Sequence, residues 1–181
     1  MGEFGIADKL GTPEIDPDAW AAPGAVLVGK IKVGRGASVW YGCVLRSDMA
    51  GAEIEIGEDS NIQDGTVVHV DENASCRVGA RVTVGHGAVL HACTIEDEAM
   101  VAMNATVLSG ARIGRGSIVA AGAVVAEGFE VPPGVIVAGV PAKIRRETTP
   151  EDRARLEHAW KTYRALAELH KSGTHKSGTQ Y

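Results

Sequence analysis

From Val101 onward a branched aliphatic residue returns at every sixth position, through Val107, Ile113, Val119, Val125 and Val131 to Val137. Four residues after these stand Ala105, Ala111, Ser117 and Ala123, with Phe129 and Val135 as larger members. Glycine recurs at one fixed place, at Gly110, Gly116, Gly122, Gly128 and Gly134. The same frame runs upstream through Leu27, Val33, Val39 and Leu45, then Ile56, Ile62 and Val68, then Val78, Val84 and Leu90, with one residue skipped before Ile95. A period of six with one aliphatic, one small residue and a frequent glycine describes a short strand plus a turn: the aliphatic points inward, the small residue fits the corner, and glycine accepts the unusual φ. Three such units close a triangular coil of roughly 18 residues, and a stack of coils buries an aliphatic column that no single coil can bury.

The frame predicts an all-β chain, a parallel β-helix of about seven coils filling residues 1–147. These residues resemble the hexapeptide-repeat family, and the resemblance implies that the coil is left-handed, against the usual right-handed crossover rule. After Lys143 the pattern changes. Thr149-Pro150-Glu151-Asp152 reads as a helix start, with a Thr cap, Pro in the first turn and acids near the positive end. Leu156, Trp160, Tyr163, Leu166, Ala167 and His170 follow at helical spacing. Residues 148–181 are thus predicted as one C-terminal α-helix packed along the coil, ended by Gly173, with a frayed tail from Ser172 to Tyr181.

The interruptions locate the chemistry. Leu45 to Ile56 is a step of eleven and Val68 to Val78 a step of ten, so each insertion replaces one six-residue side with a loop. With that allowance Leu45, Val68 and Leu90 lie three sides apart and stack on one face. Arg46, His69 and His91 then form one outward-facing column. By the same count Ile62 and Val84 stack, which sets Asp64 beneath His86 on a different face.

Composition narrows the partners. Aromatic residues are only 4% of the chain, so Val, Ile, Leu and Ala fill the core, and 23 glycines with 7 prolines exclude a helical bundle over the repeat. The net charge of -5, without a basic run in the body, argues against nucleic acid. No apolar stretch approaches the ~20 residues of a membrane span. The start MGEFGIADKL lacks the layout of a secretory leader, and Ile6 stands where a myristoylation motif wants Ser or Thr. Cys43, Cys76 and Cys93 are widely spaced and unpaired in pattern; they read as small buried residues in a reducing, cytoplasmic setting.

Of six histidines, His158, His170 and His175 fall in or after the helix, where solvated surface roles are expected. His69, His86 and His91 fall inside the repeat. Outward polar residues on a solvated strand are the plainer account of His86 and His91. The register favours a metal: His69 and His91 stand one coil apart, about 4.8 Å at the backbone, close enough for two imidazoles to meet one ion at ~2.0–2.1 Å each. His86 lies on the next face and joins them only from a neighbouring copy in a threefold assembly. Three neutral histidines leave a tetrahedral zinc with one open position, the arrangement of a catalytic site.

The run Leu45-Arg46-Ser47-Asp48, then Asn61-Ile62-Gln63-Asp64, then His69, and finally His86-Gly-Ala-Val-Leu-His91 resembles the gamma-class carbonic anhydrases, in order and spacing over roughly residues 12–145. The resemblance implies a homotrimer that hydrates CO2 reversibly to bicarbonate, with His69, His86 and His91 holding Zn2+ (Fe2+ or Co2+ being alternatives) between subunits. It further implies that Arg46 and Asp64 form salt bridges across the subunit contact, with Asp48 a polar partner near the site. Gln63 is implied to orient the metal-bound hydroxide, with Asn61 nearby. Zinc would bring the pKa of its water from about 9 to about 7. The insertion Asp71-Glu72-Asn73 is shorter than the family's acidic loop, and Met49 stands where a second glutamate is expected; Tyr163 on the helix is the implied proton-carrying substitute. An exposed Arg46–Asp48 pair and a Tyr163 that merely packs on the coil remain the alternatives for those residues. At the level of the whole protein the alternatives are a hexapeptide acyltransferase or thioesterase-like protein using coenzyme A, or a non-catalytic trimeric metal-binding scaffold.

Overall fold

The computed structural model describes residues 10–173. The leader and acylation readings of the first nine residues, His175 and the tail beyond Gly173 lie outside them. Among the described residues, short strands form three sheets of seven, eight and six strands, parallel except at one end, and one α-helix follows. The chain is a left-handed β-helix of about seven coils. Its first face runs from strand Glu14–Ile15 to Glu130–Val131, its second from Trp20–Ala21 to Val135–Ala138, and its third from Val26–Gly29 to Val124–Val125.

The sixfold frame is the core. From Val33 to Val137 every inward aliphatic of the frame is 3% exposed or less, and the small corner residues Ala105, Ala111, Ser117 and Ala123 are at 1% or less. The recurrent glycines turn the corners: Gly110, Gly116, Gly122, Gly128 and Gly134 have φ of 63–71°, a region that costs a side chain strain. Asp59, Arg81, Glu98 and Asn104 adopt the same backbone at φ 54–60° on other coils. Cys43, Cys76 and Cys93 are buried and free, as their spacing suggested.

Both insertions become loops on one corner and stack on each other. Asn73 N donates to Ala50 O at 2.9 Å and Glu53 N to Ser75 Oγ at 3.1 Å. The stack thereby stays in register on either side of them, and the third face keeps its ladder.

Strand Lys143–Glu147 returns antiparallel against Val135–Ala138. Helix α1, Pro150–Lys171, follows. Thr149 accepts from Asp152 N while the Asp152 carboxylate accepts from Thr149 N, a reciprocal capping box. Ser172 caps the C-terminus and Gly173, at φ 67°, leaves the helical path, so the expected stop is where the helix ends. The helix lies along the second face, over strands Trp20–Ala21, Ser38–Val39, Asn61–Ile62 and Thr83–Val84. Outward residues there are therefore buried although polar: Ser38 and Asn61 at 1%, Thr83 at 5%. They satisfy one another, Trp40 Nε1 donating to Ser38 Oγ at 3.0 Å and Asn61 Nδ2 to Thr83 Oγ1 at 3.0 Å.

One expectation is corrected. His170 is not a solvated surface residue but half-buried, tilted against Trp20 and edge-on to Trp40, with Nδ1 2.9 Å from the Tyr41 hydroxyl. The turn from Leu156 through Tyr163 to His170 aims it at the coil, and the first coils supply an aromatic wall there. His158 is exposed as expected.

Candidate metal centre

The predicted column exists in register. On the third face Arg46 pairs with His69 and His69 with His91 across parallel strands, beneath the inward stack Leu45, Val68 and Leu90. His69 Nδ1 lies 3.2 Å from His91 Nε2, and the ring centroids are 5.1 Å apart. Two nitrogens bound to one tetrahedral ion at ~2.0–2.1 Å stand about 3.3–3.4 Å apart, so the pair already spans one edge of such a site.

Each imidazole is held by its other nitrogen. His69 Nε2 is 2.9 Å from Asp48 Oδ1, and since a carboxylate only accepts, the ring donates there and keeps a lone pair on Nδ1. His91 Nδ1 is 2.8 Å from Ser109 Oγ, which donates to Asp71 Oδ2 at 3.1 Å. Carboxylate or hydroxyl partners on the far nitrogen are the ordinary support of metal-ligating histidines. Burial alone would raise the Asp48 carboxyl, but hydrogen bonds from His69 and Arg46 prevail and hold it below its ordinary value.

His86 is on the corner after strand Thr83–Val84, with Nδ1 2.9 Å from Asp64 Oδ2 one coil below, as the register required. Its Nε2 faces the Tyr163 hydroxyl at 3.2 Å. Tyr163 also stands edge-on to the Trp40 ring at 5.2 Å, so it packs on the coil and reaches a candidate ligand at once. Burial first, and the nearby Asp64 charge second, push its phenol up. His86 does not join the His69–His91 pair within one chain, and among the described residues no three His, Cys, Asp or Glu side chains gather around one point.

Arg46 and Asp64 do not meet within the chain. Arg46 pairs with Asp48, and Asp64 with His86. Asn61 and Gln63 are buried at the edge of the second face, the Gln63 amide donating to Asn61 Oδ1 at 2.9 Å. Ser109 and Asp71 are contacts the sequence reading missed. A signal was present for Ser109, which stands one 18-residue coil beyond His91.

Beside the histidines runs an apolar strip. Val26, Val44, Val67, Val89, Thr106 and Val124 are in register along the outside of the third face, and Val26 and Val67 are 47% and 40% exposed. No helix among the described residues is long and apolar enough to cross a membrane.

Comparison with known proteins follows the same lines. The family model for bacterial transferase hexapeptide (six repeats) matches residues 92–127. The mitochondrial gamma carbonic anhydrase 2 of Arabidopsis thaliana is 42% identical over 97% of this chain and 64% of its own, so the chain spans just under two thirds of that relative's length. A carbonic anhydrase of Geobacillus kaustophilus is 37% identical over 89% of this chain and 87% of its own. Among solved structures, a hexapeptide transferase family protein from Anaplasma phagocytophilum superposes with a TM-score of 0.82 at 40% identity, over 86% of this chain and 91% of that one.

Proposed function

This chain belongs to the gamma carbonic anhydrase family of hexapeptide-repeat proteins, and on that premise we propose that it interconverts CO2 and bicarbonate at a zinc site shared between subunits of a homotrimer. The observation that carries the reading is the His69–His91 pair, two ring nitrogens 3.2 Å apart, each ring anchored from behind. His69 and His91 of one copy and His86 of the next would hold the ion; Fe2+ and Co2+ suit the same imidazole set. When bound, such a cation supplies the acidity that makes water a nucleophile near neutral pH.

The remaining roles belong to the chain. Asp48 and Asp64 fix the rings of His69 and His86 so that a lone pair on each is available. The apolar strip beside the pair, with Val26 and Val67 exposed and its other members half-buried, supports a second copy as its cover. Arg46 and Asp64 would add ion pairs across that contact. Once covered, the same valines give CO2 an apolar approach that does not compete for hydrogen bonds. The Gln63 amide, itself steadied by Asn61, is the group proposed to orient the reacting water across the interface. Were His86 Nε2 given over to the ion, the Tyr163 hydroxyl that now faces it would stand free beside the site, able to relay the product proton toward buffer by accepting one hydrogen as it donates another.

Subunit mixing tests the shared site. His69→Ala and His86→Ala are each expected to abolish zinc binding and CO2 hydration. In mixed trimers a site that takes the pair from the His86→Ala chain and its third ligand from the His69→Ala chain is whole, so about a quarter of the sites should recover. Failure of both zinc and hydration to return sinks the shared site. Acetyl-CoA turnover without CO2 hydration would favour acyl transfer instead, the activity that the transferase-named relatives suggest.

A further inference from the structure

One proton decides what the His69–His91 contact is. With hydrogen on His91 Nε2, a separation of 3.2 Å is an ordinary hydrogen bond to His69 Nδ1 and leaves nothing for a cation. With hydrogen on His91 Nδ1, two lone pairs face each other at that distance, an arrangement that is open to a cation and is relieved by one. The ring alone does not choose, because both neutral tautomers are accessible to an imidazole.

We propose that Ser109 and Asp71 are positioning residues that make this choice, holding the His91 proton on Nδ1 and so turning the pair from a hydrogen bond into a cation site. The chain of donors runs one way. The Asp71 carboxylate can only accept, so the Ser109 hydroxyl spends its single hydrogen on Oδ2 at 3.1 Å. Ser109 Oγ, 2.8 Å from His91 Nδ1, is then left as an acceptor and the ring must donate to it. His69 receives the same instruction directly from Asp48. Both rings are thus committed before any ion arrives. Asp71 occupies the short insertion after the His69 strand, and Ser109 lies two coils further along, just beyond His91, so the fold brings together two residues 38 positions apart for this contact. Neither touches the ion; both act through His91. The inference rests on the metal-site reading of His69 and His91.

The test uses full-length protein, with Asp71→Asn, Ser109→Ala and Ser109→Thr. An amide at position 71 can donate to the Ser109 oxygen and reverse the chain, while changing neither size nor, at an exposed position, folding. In zinc-free protein, two-bond proton–nitrogen NMR of labelled histidines should show His91 protonated at Nδ1 in the wild type and Ser109→Thr. It should show protonation shifted to Nε2 in Asp71→Asn and Ser109→Ala. Zinc affinity, measured by competition with a chromophoric chelator, should fall on the order of 10–100-fold in those two variants and stay near wild type in Ser109→Thr. An unchanged tautomer in Asp71→Asn and Ser109→Ala overturns the proposal. So does a tautomer that shifts while zinc affinity holds. If the wild type takes up no zinc, the metal-site reading fails by itself, and the tautomer measurement still decides whether Ser109 and Asp71 govern His91.

Discussion

Gly85→Ala is a one-carbon change whose cost can be worked from coil spacing. A Cβ at that position would lie 2.7 Å from Met103 N, 2.9 Å from Ala102 C and 3.1 Å from Met103 Cα. All three are backbone atoms of the next coil, and the Cβ has no torsion by which to turn away. Relief to ordinary contact at 3.4 Å means parting the two coils by about 0.7 Å locally. The bond from Gly85 N to Val101 O is 2.7 Å and spans the same gap, so it would be carried past the ~3.2 Å limit of a good N–H···O bond. Overpacking of this kind costs about 1–3 kcal/mol. At about 2 kcal/mol, Tm for a chain of this length should fall by about 4–8 °C. His86 is the next residue, and its 2.9 Å contact to Asp64 reaches to the coil on the other side, so zinc affinity should fall as well. Differential scanning calorimetry on zinc-free protein and chelator competition on the loaded form read the two effects separately. A Tm within about 1 °C of wild type would refute the claim that coil spacing at this corner is rigid.

Two further outcomes follow from the charge and thiol states. Hydrogen bonds from His69 and Arg46 hold the folded Asp48 carboxyl below its ordinary 3.8 despite the opposing pull of burial, so its stabilising contribution is present above that value and fades as pH falls through the lower folded one. The stability gap between wild type and Asp48→Asn in urea melts should therefore be wide at about pH 7 and shrink toward about pH 3; a gap independent of pH contradicts it. Burial pushes the Cys43 thiol up to about 11, and the neighbouring Cys76 thiol together with burial pushes Cys93 up. Excess iodoacetamide should label none of the three buried thiols in native protein and all three in urea, as counted by mass spectrometry; rapid native labelling would show that the coil opens at these positions.

The sixfold frame was legible because one inward aliphatic per side is a local requirement that the sequence must meet at every coil. Counting sides across the two insertions placed Arg46, His69 and His91 in one column and Asp64 under His86 without any coordinates. What could not be read was how loops and helix return to the coil. Asp71 lies in an insertion whose path depends on stacking against the loop before it, so its bond to Ser109 has no signature in spacing. His170 shows the same limit: its place in the helical stripe was evident, but not that Trp20, Trp40 and Tyr41 would meet it. The Gln63–Asn61 bond was hidden for a related reason, since only the docked helix makes that edge dry enough for two amides to seek each other.

A column of parallel coils has no inherent reason to stop, because its last turn offers free amides and carbonyls to any further strand, including one from another molecule. Strand Lys143–Glu147 answers that hazard on the second face: it runs against the grain of the stack, with all five residues exposed and four of them charged. An incoming coil of the same polarity would find the edge already occupied in the opposite direction and guarded by lysine, arginine and glutamate. On that face the stack is closed by its own final hairpin, which works against the growth of a shape suited to endless filaments.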